Sequence, residues 1–429
     1  MLLTDQSQAA RERILKHRLP DLDLGGGSLH PHYDGLSILN LPSSICTWLG
    51  APALAHPALD LPGIQDLAAG VDQVITVLID ALSLHRFQEW FASRSRADKS
   101  RLNGAFLSTV TSVVPSTTSA ALTTLWTGRS PAEHGILGYE LFLKEFGLIA
   151  NMITHSPAAF DGASGLLYQA GFDPQTFLPV EPIGPHLKQH GIESHAFLHY
   201  SISGSGLSQM HYPDVHVHRF AGVPDLWIAV RQLAEQPLRS KRYLWVYYGG
   251  VDGLSHRYGP DSEQARAEFL ALIHSLELEF LGQLEPAVGR RTLLLMLADH
   301  GQLTTRKDPH YELVSHPDLS RRLVMVPTGE NRLAYLYPKP GQVEAVGEYL
   351  ERTWAGSFRV LPSSHALDAG LFGPGEPGAA VIDRLGERVV VGLNDAYLWW
   401  APKENPLIGR HGGVSEHEML VPLFMHRLG

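Results

Sequence analysis

Three largely apolar runs in this chain each lead to an aspartate. Val74–Ile79 reads V-I-T-V-L-I and is followed by Asp80. Tyr243–Tyr248 reads Y-L-W-V-Y-Y and passes through Gly249, Gly250 and Val251 to Asp252. Leu293–Ala298 reads L-L-L-M-L-A and is followed by Asp299. Runs of this length, without regular polar alternation, predict strands buried on both faces. They therefore imply an α/β fold, a mostly parallel sheet sandwiched by helices. Ligands of open α/β sheets bind at the carboxyl ends of strands, where these aspartates would lie.

The remaining pattern supplies the other layers. Val113–Gly128 reads V-V-P-S-T-T-S-A-A-L-T-T-L-W-T-G. Pro115 stops what precedes it, and Ser116, Thr117, Thr118 and Ser119 stand where a helix can begin. Ala120, Ala121, Leu122 and Leu125 continue that helix with an apolar face. Glu193–His199 predicts a strand, residues 262–284 a long amphipathic helix, and Leu420–Phe424 a last strand rejoining the sheet. Four segments follow: a loop-rich wrap over 1–70, the main core over 71–314, an inserted α+β lobe over 315–400, and a return to the core over 401–429. Within the lobe, Arg332–Tyr337, Phe358–Leu361 and Glu387–Leu393 read as strands and Gly341–Trp354 as a helix.

Composition narrows the function. The chain has 429 residues, 44% of them hydrophobic, enough for one large core with an insertion. Its net charge of -10, without a basic run, speaks against a nucleic-acid-coating surface. The single cysteine, Cys46, excludes an intramolecular disulfide and a multi-cysteine zinc site. The N-terminal stretch has no apolar signal region and reads as a short polar helix, and no run is long enough to span a membrane. The expectation is a soluble, cytoplasmic protein, with nothing in the sequence that sets its oligomeric state.

The chemistry follows from residues that need one another. A helix start offers unpaired N–H groups and partial positive charge, which suit a phosphoryl or sulfuryl oxygen. A hydroxyl there is a weak nucleophile until a cation lowers its pKa. Carboxylates at a buried sheet edge also need partners, which divalent metals provide. His256 stands four residues after Asp252 in D-G-L-S-H-R-Y-G-P, one helical turn on. His300 directly follows Asp299, with Gly301 allowing the chain to turn. His411 lies between Gly409-Arg410 and Gly412-Gly413. With 23 histidines in the chain, any one alone reads as a cap, surface or loop residue. His134, beside Gly135, is expected to be structural. His216 and His218 share a strand face but lack an acidic partner, so they read as a polar face or substrate wall.

Taken together, P-S-T-T, W-T-G-R-S-P-A-E-H-G-I, D-G-L-S-H-R-Y-G-P, A-D-H-G and R-H-G-G resemble the alkaline phosphatase superfamily, in its nucleotide pyrophosphatase/phosphodiesterase branch. The resemblance runs from about Val71 onward. It implies an alkaline-phosphatase-like fold and two divalent metal ions, usually zinc. One site would hold Asp80, Asp299 and His300 and contact the nucleophile; the other would hold Asp252, His256 and His411. It places the nucleophile at Thr118, itself a ligand of the first metal, with Thr117 as fallback. Family diesterases often carry an asparagine that contacts a phosphoryl oxygen, and Tyr139 occupies that position here.

The expected function is hydrolysis of phosphodiester or pyrophosphate bonds in nucleotides or related small phosphate esters. Thr118 would attack phosphorus, and water would then hydrolyse the phosphothreonine ester. A phosphomonoesterase is the alternative. It calls for an extra cation, and Arg129, which follows the turn, is poorly placed to supply one. A metal-stabilised binding protein without catalysis is the reading from another class. Sulfatase chemistry fits Thr118 poorly, and a mutase needs a second large domain.

Overall fold

The register of the central sheet brings the strand-end aspartates to one edge. In this computed structural model, which describes residues 4–94, 102, 104–159 and 164–429, strand Gln73–Ile79 lies between Thr292–Leu297 and Lys241–Tyr248, parallel to both. Leu78 pairs with Leu297, so Asp80 and Asp299, each two residues further on, leave the sheet at the same level. The Asp80 N–H donates to the Tyr248 carbonyl at 3.0 Å, which draws the third strand end alongside. Every residue of Gln73–Ile79 and Thr292–Leu297 is buried, as their unbroken apolar character requires.

The sheet has eight strands in the order Thr4–Asp5, Phe106–Thr111, Leu420–Arg427, Thr292–Leu297, Gln73–Ile79, Lys241–Tyr248, Ile192–His199, His216–Phe220. Leu420–Arg427 runs antiparallel to both its neighbours, and the other strands share one direction. The amphipathic helix expected over 262–284 is capped by the Ser262 side chain and runs over Glu263–Ser275. It then widens into a π-helical turn at Leu276–Leu281.

The helix carrying the expected nucleophile, Thr118–Thr127, is buried on all sides rather than on one apolar face. Its hydroxyls find local acceptors: Thr123 and Thr127 donate to carbonyls one turn back, at 2.7 Å each. Trp126 anchors its far end, with ring centroids 4.7 Å from Tyr212 and 5.5 Å from Trp245. The anchored helix holds Thr118 at a fixed place above the sheet edge.

A second, antiparallel sheet of seven strands forms the lobe. Four of its strands fall within 315–400: the three expected there and Thr328–Glu330, which the sequence pattern does not announce. The other three, Glu140–Leu143, Leu148–Asn151 and Ser156–Pro157, come from the stretch just after the nucleophile helix. Side chains alternate across this sheet: Leu333 and Tyr335 join the main core, while Ala334 and Leu336 join a separate lobe core with Val346, Leu350 and Trp354. The lobe is thus packed against the body through one face of its own sheet.

The first seventy residues hold more regular structure than their glycines and prolines suggest. The polar helix expected at the start spans Ser7–Lys16, and residues 1–3 lie outside the described residues. Thr4–Asp5 adds an edge strand, and Leu41–Trp48 adds a helix whose apolar side chains join the main core. No helix among the described residues is long and apolar enough to cross a membrane.

Candidate active site

At the carboxyl edge of the sheet, two clusters of metal-ligating side chains form side by side. Asp80, Asp299 and His300 bring one ligand atom each within 4.8 Å of one another, and so do Asp252, His256 and His411. In the first cluster the His300 Nε2 lies 3.4 Å from Asp80 Oδ1 and 3.5 Å from Asp299 Oδ2. In the second, helix Gly250–Tyr258 carries both Asp252 and His256, and His256 Nε2 lies 3.3 Å from Asp252 Oδ1. The Thr118 hydroxyl is 3.2 Å from His300 Nε2 and 3.4 Å from Asp80 Oδ2.

The backbone sets the tautomer of all three histidines. His256 Nδ1 meets the Gly409 carbonyl at 2.9 Å, His300 Nδ1 the Gly301 carbonyl at 3.0 Å, and His411 Nδ1 the Ser116 carbonyl at 3.2 Å. A carbonyl only accepts, so each Nδ1 carries a proton, which leaves Nε2 as the ring atom that can offer a lone pair to a ligand. Gly301 does not serve as a left-handed hinge. It matters because a Cβ there would sit 2.1 Å from the His417 carbonyl oxygen.

The first cluster fits a cation on its own evidence. Asp80 Oδ1 and Asp299 Oδ2 are buried without a hydrogen-bond partner among the described residues, and both lie near His300 Nε2. Burial, then the Asp299 and Asp252 charges, push Asp80 well above the ordinary carboxylate range. Burial pushes Asp299 up to about 7. Burial, then His300 and His256, lower His411 well below the ordinary imidazole range. Mutually repelling carboxylates facing imidazole Nε2 atoms are what divalent ions stabilise. The clusters differ in access. Asp80, Asp299 and His300 are at most 1% exposed, whereas Asp252 and His256 line a cavity of about 480 Å³ with Thr118 and His411.

Five supporting residues escaped the sequence reading. The Tyr247 hydroxyl donates to Asp80 Oδ2, and the Gln302 amide donates to Asp252 Oδ1. Glu330, from the lobe strand Thr328–Glu330, accepts from the Thr117 hydroxyl at 2.6 Å and the Tyr139 N–H at 2.8 Å. Burial pushes its carboxyl up to about 8, against the pull of those two bonds. Arg332 and Glu418, both fully buried, pair at 3.0 and 3.1 Å. Glu418 also accepts from the Gly413 N–H at 2.8 Å and so holds the loop after His411. The one legible hint was an acid and a base, Glu330 and Arg332, both just before an apolar strand.

Other sequence candidates fall elsewhere. Tyr139 lines the cavity and is 40% exposed there. Thr117 lines it too, but its hydroxyl is engaged by Glu330 rather than by a metal-ligand cluster. Arg129 faces another cleft and bonds Glu133 at 3.0 Å. His134 is buried, accepts from the Ile136 N–H at 3.0 Å and contacts the Thr124 hydroxyl at 3.1 Å. His216 and His218 sit on an outer strand, where His218 Nε2 meets His195 Nδ1 at 3.0 Å.

Comparison with known proteins matches this chain to one family. The profile of the type I phosphodiesterase/nucleotide pyrophosphatase family covers residues 70–412. Murine ectonucleotide pyrophosphatase/phosphodiesterase 5 superposes with a TM-score of 0.59 at 18% identity, over 82% of this chain and 87% of that one. An inactive, threonine-to-alanine form of the same murine protein, in complex with AMP, gives 0.59 at 17% identity over the same shares. Phosphonoacetate hydrolase from Sinorhizobium meliloti 1021, in complex with phosphonoacetate, gives 0.58 at 17% identity, over 82% of this chain and 89% of that one. No curated protein matches the sequence. With its two ligand clusters beside a threonine-headed helix, and a family match over most of its length, the chain belongs to the type I phosphodiesterase/nucleotide pyrophosphatase family of the alkaline phosphatase superfamily and is a phosphoester hydrolase.

Proposed function

We propose that this protein hydrolyses phosphodiester or pyrophosphate bonds of nucleotides or related small molecules through a phosphothreonine on Thr118. The observation that carries the reading is the Thr118 hydroxyl at the head of a helix, within 3.4 Å of ligands of the first cluster and opening on the cavity of the second. Asp80, Asp299 and His300 would hold one divalent cation, and Asp252, His256 and His411 another, zinc by family resemblance. When bound, such ions lower the pKa of a hydroxyl or water and offset charge on phosphoryl oxygens.

The chain's own groups do the rest. The helix fixes the Thr118 Oγ1, which attacks phosphorus in line as the alcohol or nucleotide oxygen leaves. Water then attacks the phosphothreonine, freeing phosphate or a phosphomonoester and restoring the hydroxyl. N–H groups at the helix start, and the hydroxyl of Tyr139 in the cavity wall, would donate to phosphoryl oxygens.

The cavity supports a small ligand. Its outer wall includes Trp399, Trp400 and Lys403, apolar faces beside one cation, which suits an aromatic group joined to an anion. The ligands bound in two of the structural relatives, AMP and phosphonoacetate, are of that size class. Arg129, turned to Glu133, is not available as the extra cation a monoesterase would use. The test is direct. Acid-quenched turnover of bis-p-nitrophenyl phosphate by zinc-loaded protein should release one p-nitrophenol and leave a p-nitrophenyl phosphoryl group on the peptide containing Thr118. Faster hydrolysis of p-nitrophenyl phosphate than of the diester would favour a monoesterase instead.

A further inference from the structure

Thr117 stands at the N-cap of the nucleophile helix in the extended conformation a capping threonine adopts, with φ -139° and ψ 149°, yet its side chain does not cap the helix. Its hydroxyl points the other way, to Glu330 Oε1. The neighbouring hydroxyls are diverted too: Ser116 donates to the Gly413 carbonyl at 2.7 Å and Ser119 to the Gly138 carbonyl at 2.9 Å. A helix start flanked by four hydroxyl residues therefore has no side-chain cap among the described residues. Capping is worth about 1 kcal/mol, so leaving it out needs a structural cause.

Glu330 is that cause. It reaches the helix start from the lobe, and its side chain is pressed against the loop of His411: a Cβ on Gly412 would lie 2.4 Å from the Glu330 Cβ. One carboxyl oxygen takes both the Thr117 hydroxyl and the Tyr139 N–H. Among the described residues Glu330 makes no ion pair, and it lines the same cavity as Thr118.

We propose that Glu330 is a positioning residue that keeps the nucleophile helix uncapped, by drawing the Thr117 hydroxyl away from the first N–H groups so that these can serve the phosphoryl oxygens. The proposal rests on Thr118 being the nucleophile at that helix start. Loss of the Glu330 carboxyl would free the Thr117 hydroxyl to rotate and accept from the Ser119 or Ala120 N–H, in competition with substrate.

This predicts a rescue that a merely structural role would not give. In zinc-loaded protein, E330A should lower kcat/KM for bis-p-nitrophenyl phosphate about tenfold or more, with bound metal unchanged. E330Q, which presents the same acceptor oxygen, should stay within about threefold of wild type. T117V, with no hydroxyl to cap, should lose less than E330A, and adding T117V to E330A should recover activity. A double variant as slow as E330A, or slower, overturns the proposal, as does T117V as inert as T118A. Should E330A fail to fold, the proposal is overturned by T117V as inert as T118A, or by E330Q more than about threefold slower than wild type. Affinity for inorganic phosphate, read by calorimetry on the same proteins, should follow the same order. If T118A still turns over the diester, the nucleophile assignment fails, and the phosphate affinities decide the role of Glu330 separately.

Discussion

The imidazoles of His300 and His411, which belong to different ligand clusters, stack with centroids 4.0 Å apart and planes at 25°. The two clusters are therefore immediate neighbours, as a pair of cations sharing one phosphoryl group requires. His411 also packs against His256, at 5.1 Å between centroids. Replacing His411 by alanine removes a ligand from the second cluster and a packing surface from the first. Elemental analysis should find about two cations per wild-type chain and about one in H411A, with activity lost.

Thr118 gives the most direct test of the chemistry. T118A should retain both cations, because six other side chains form the clusters, but lose diester turnover by about a thousandfold or more. T118S keeps a hydroxyl and should keep measurable turnover. Single-turnover quench with a diester, followed by peptide mapping, separates loss of the covalent step from loss of binding.

Tyr247 bonds the Asp80 oxygen that also faces Thr118. Its hydroxyl orients the carboxylate, so Y247F should weaken the first cation by about 10- to 100-fold without changing the ligand count. Titrating stripped protein with zinc, and following activity, gives the shift. Y247F with wild-type zinc affinity would show that Asp80 is held in place by the sheet alone.

Much of this site was legible because its ligands sit where buried strands end. The apolar runs before Asp80 and Asp299 need no tertiary information to be recognised, and the helical spacing of Asp252 and His256 is local. Their convergence depends on register, which pairs Leu78 with Leu297 and which no local pattern encodes. The supporting residues were not legible for the same reason. Glu330 reads as part of a polar turn, T-G-E-N-R, and acquires its role only when the lobe sheet meets the nucleophile helix. The lobe strands from Glu140 to Asn151 were signalled by Leu141 and Leu143 alternating with outward residues before Gly147. Their pairing with Thr328–Glu330 is again non-local.

Glu133 predicts part of the acid response. Burial alone would raise its pKa, but His56 at 2.6 Å, the Ser130 N–H and Arg129 outweigh burial and bring it from the ordinary 4.5 to about 2. The folded value lies below the unfolded one. The stabilisation is therefore complete above about pH 4.5 and is lost as pH falls from there toward 2. Wild type and E133Q, compared by urea unfolding across that range, should converge by about 1.4 kcal/mol per pH unit. Parallel curves would mean the carboxylate contributes nothing through its charge.

The buried Arg332–Glu418 pair separates stability from function. Burial works against the Glu418 charge, but Arg332, Ser415 and the Gly413 N–H more than offset it and hold the carboxyl below its ordinary value. Removing one partner leaves the other charged and buried, so R332A or E418Q should cost about 3–5 kcal/mol in unfolding free energy. Replacing both with apolar residues, as in R332M/E418L, removes the unpaired charge and should recover much of that loss. Activity should not follow. Glu418 is also the acceptor for the Gly413 and Ser415 N–H groups, at 2.8 and 3.2 Å, and these fix the loop that presents His411. The double variant should therefore melt near wild type while binding its second cation more weakly and turning over slowly. If its activity returned together with its stability, the His411 loop would be held by something other than Glu418.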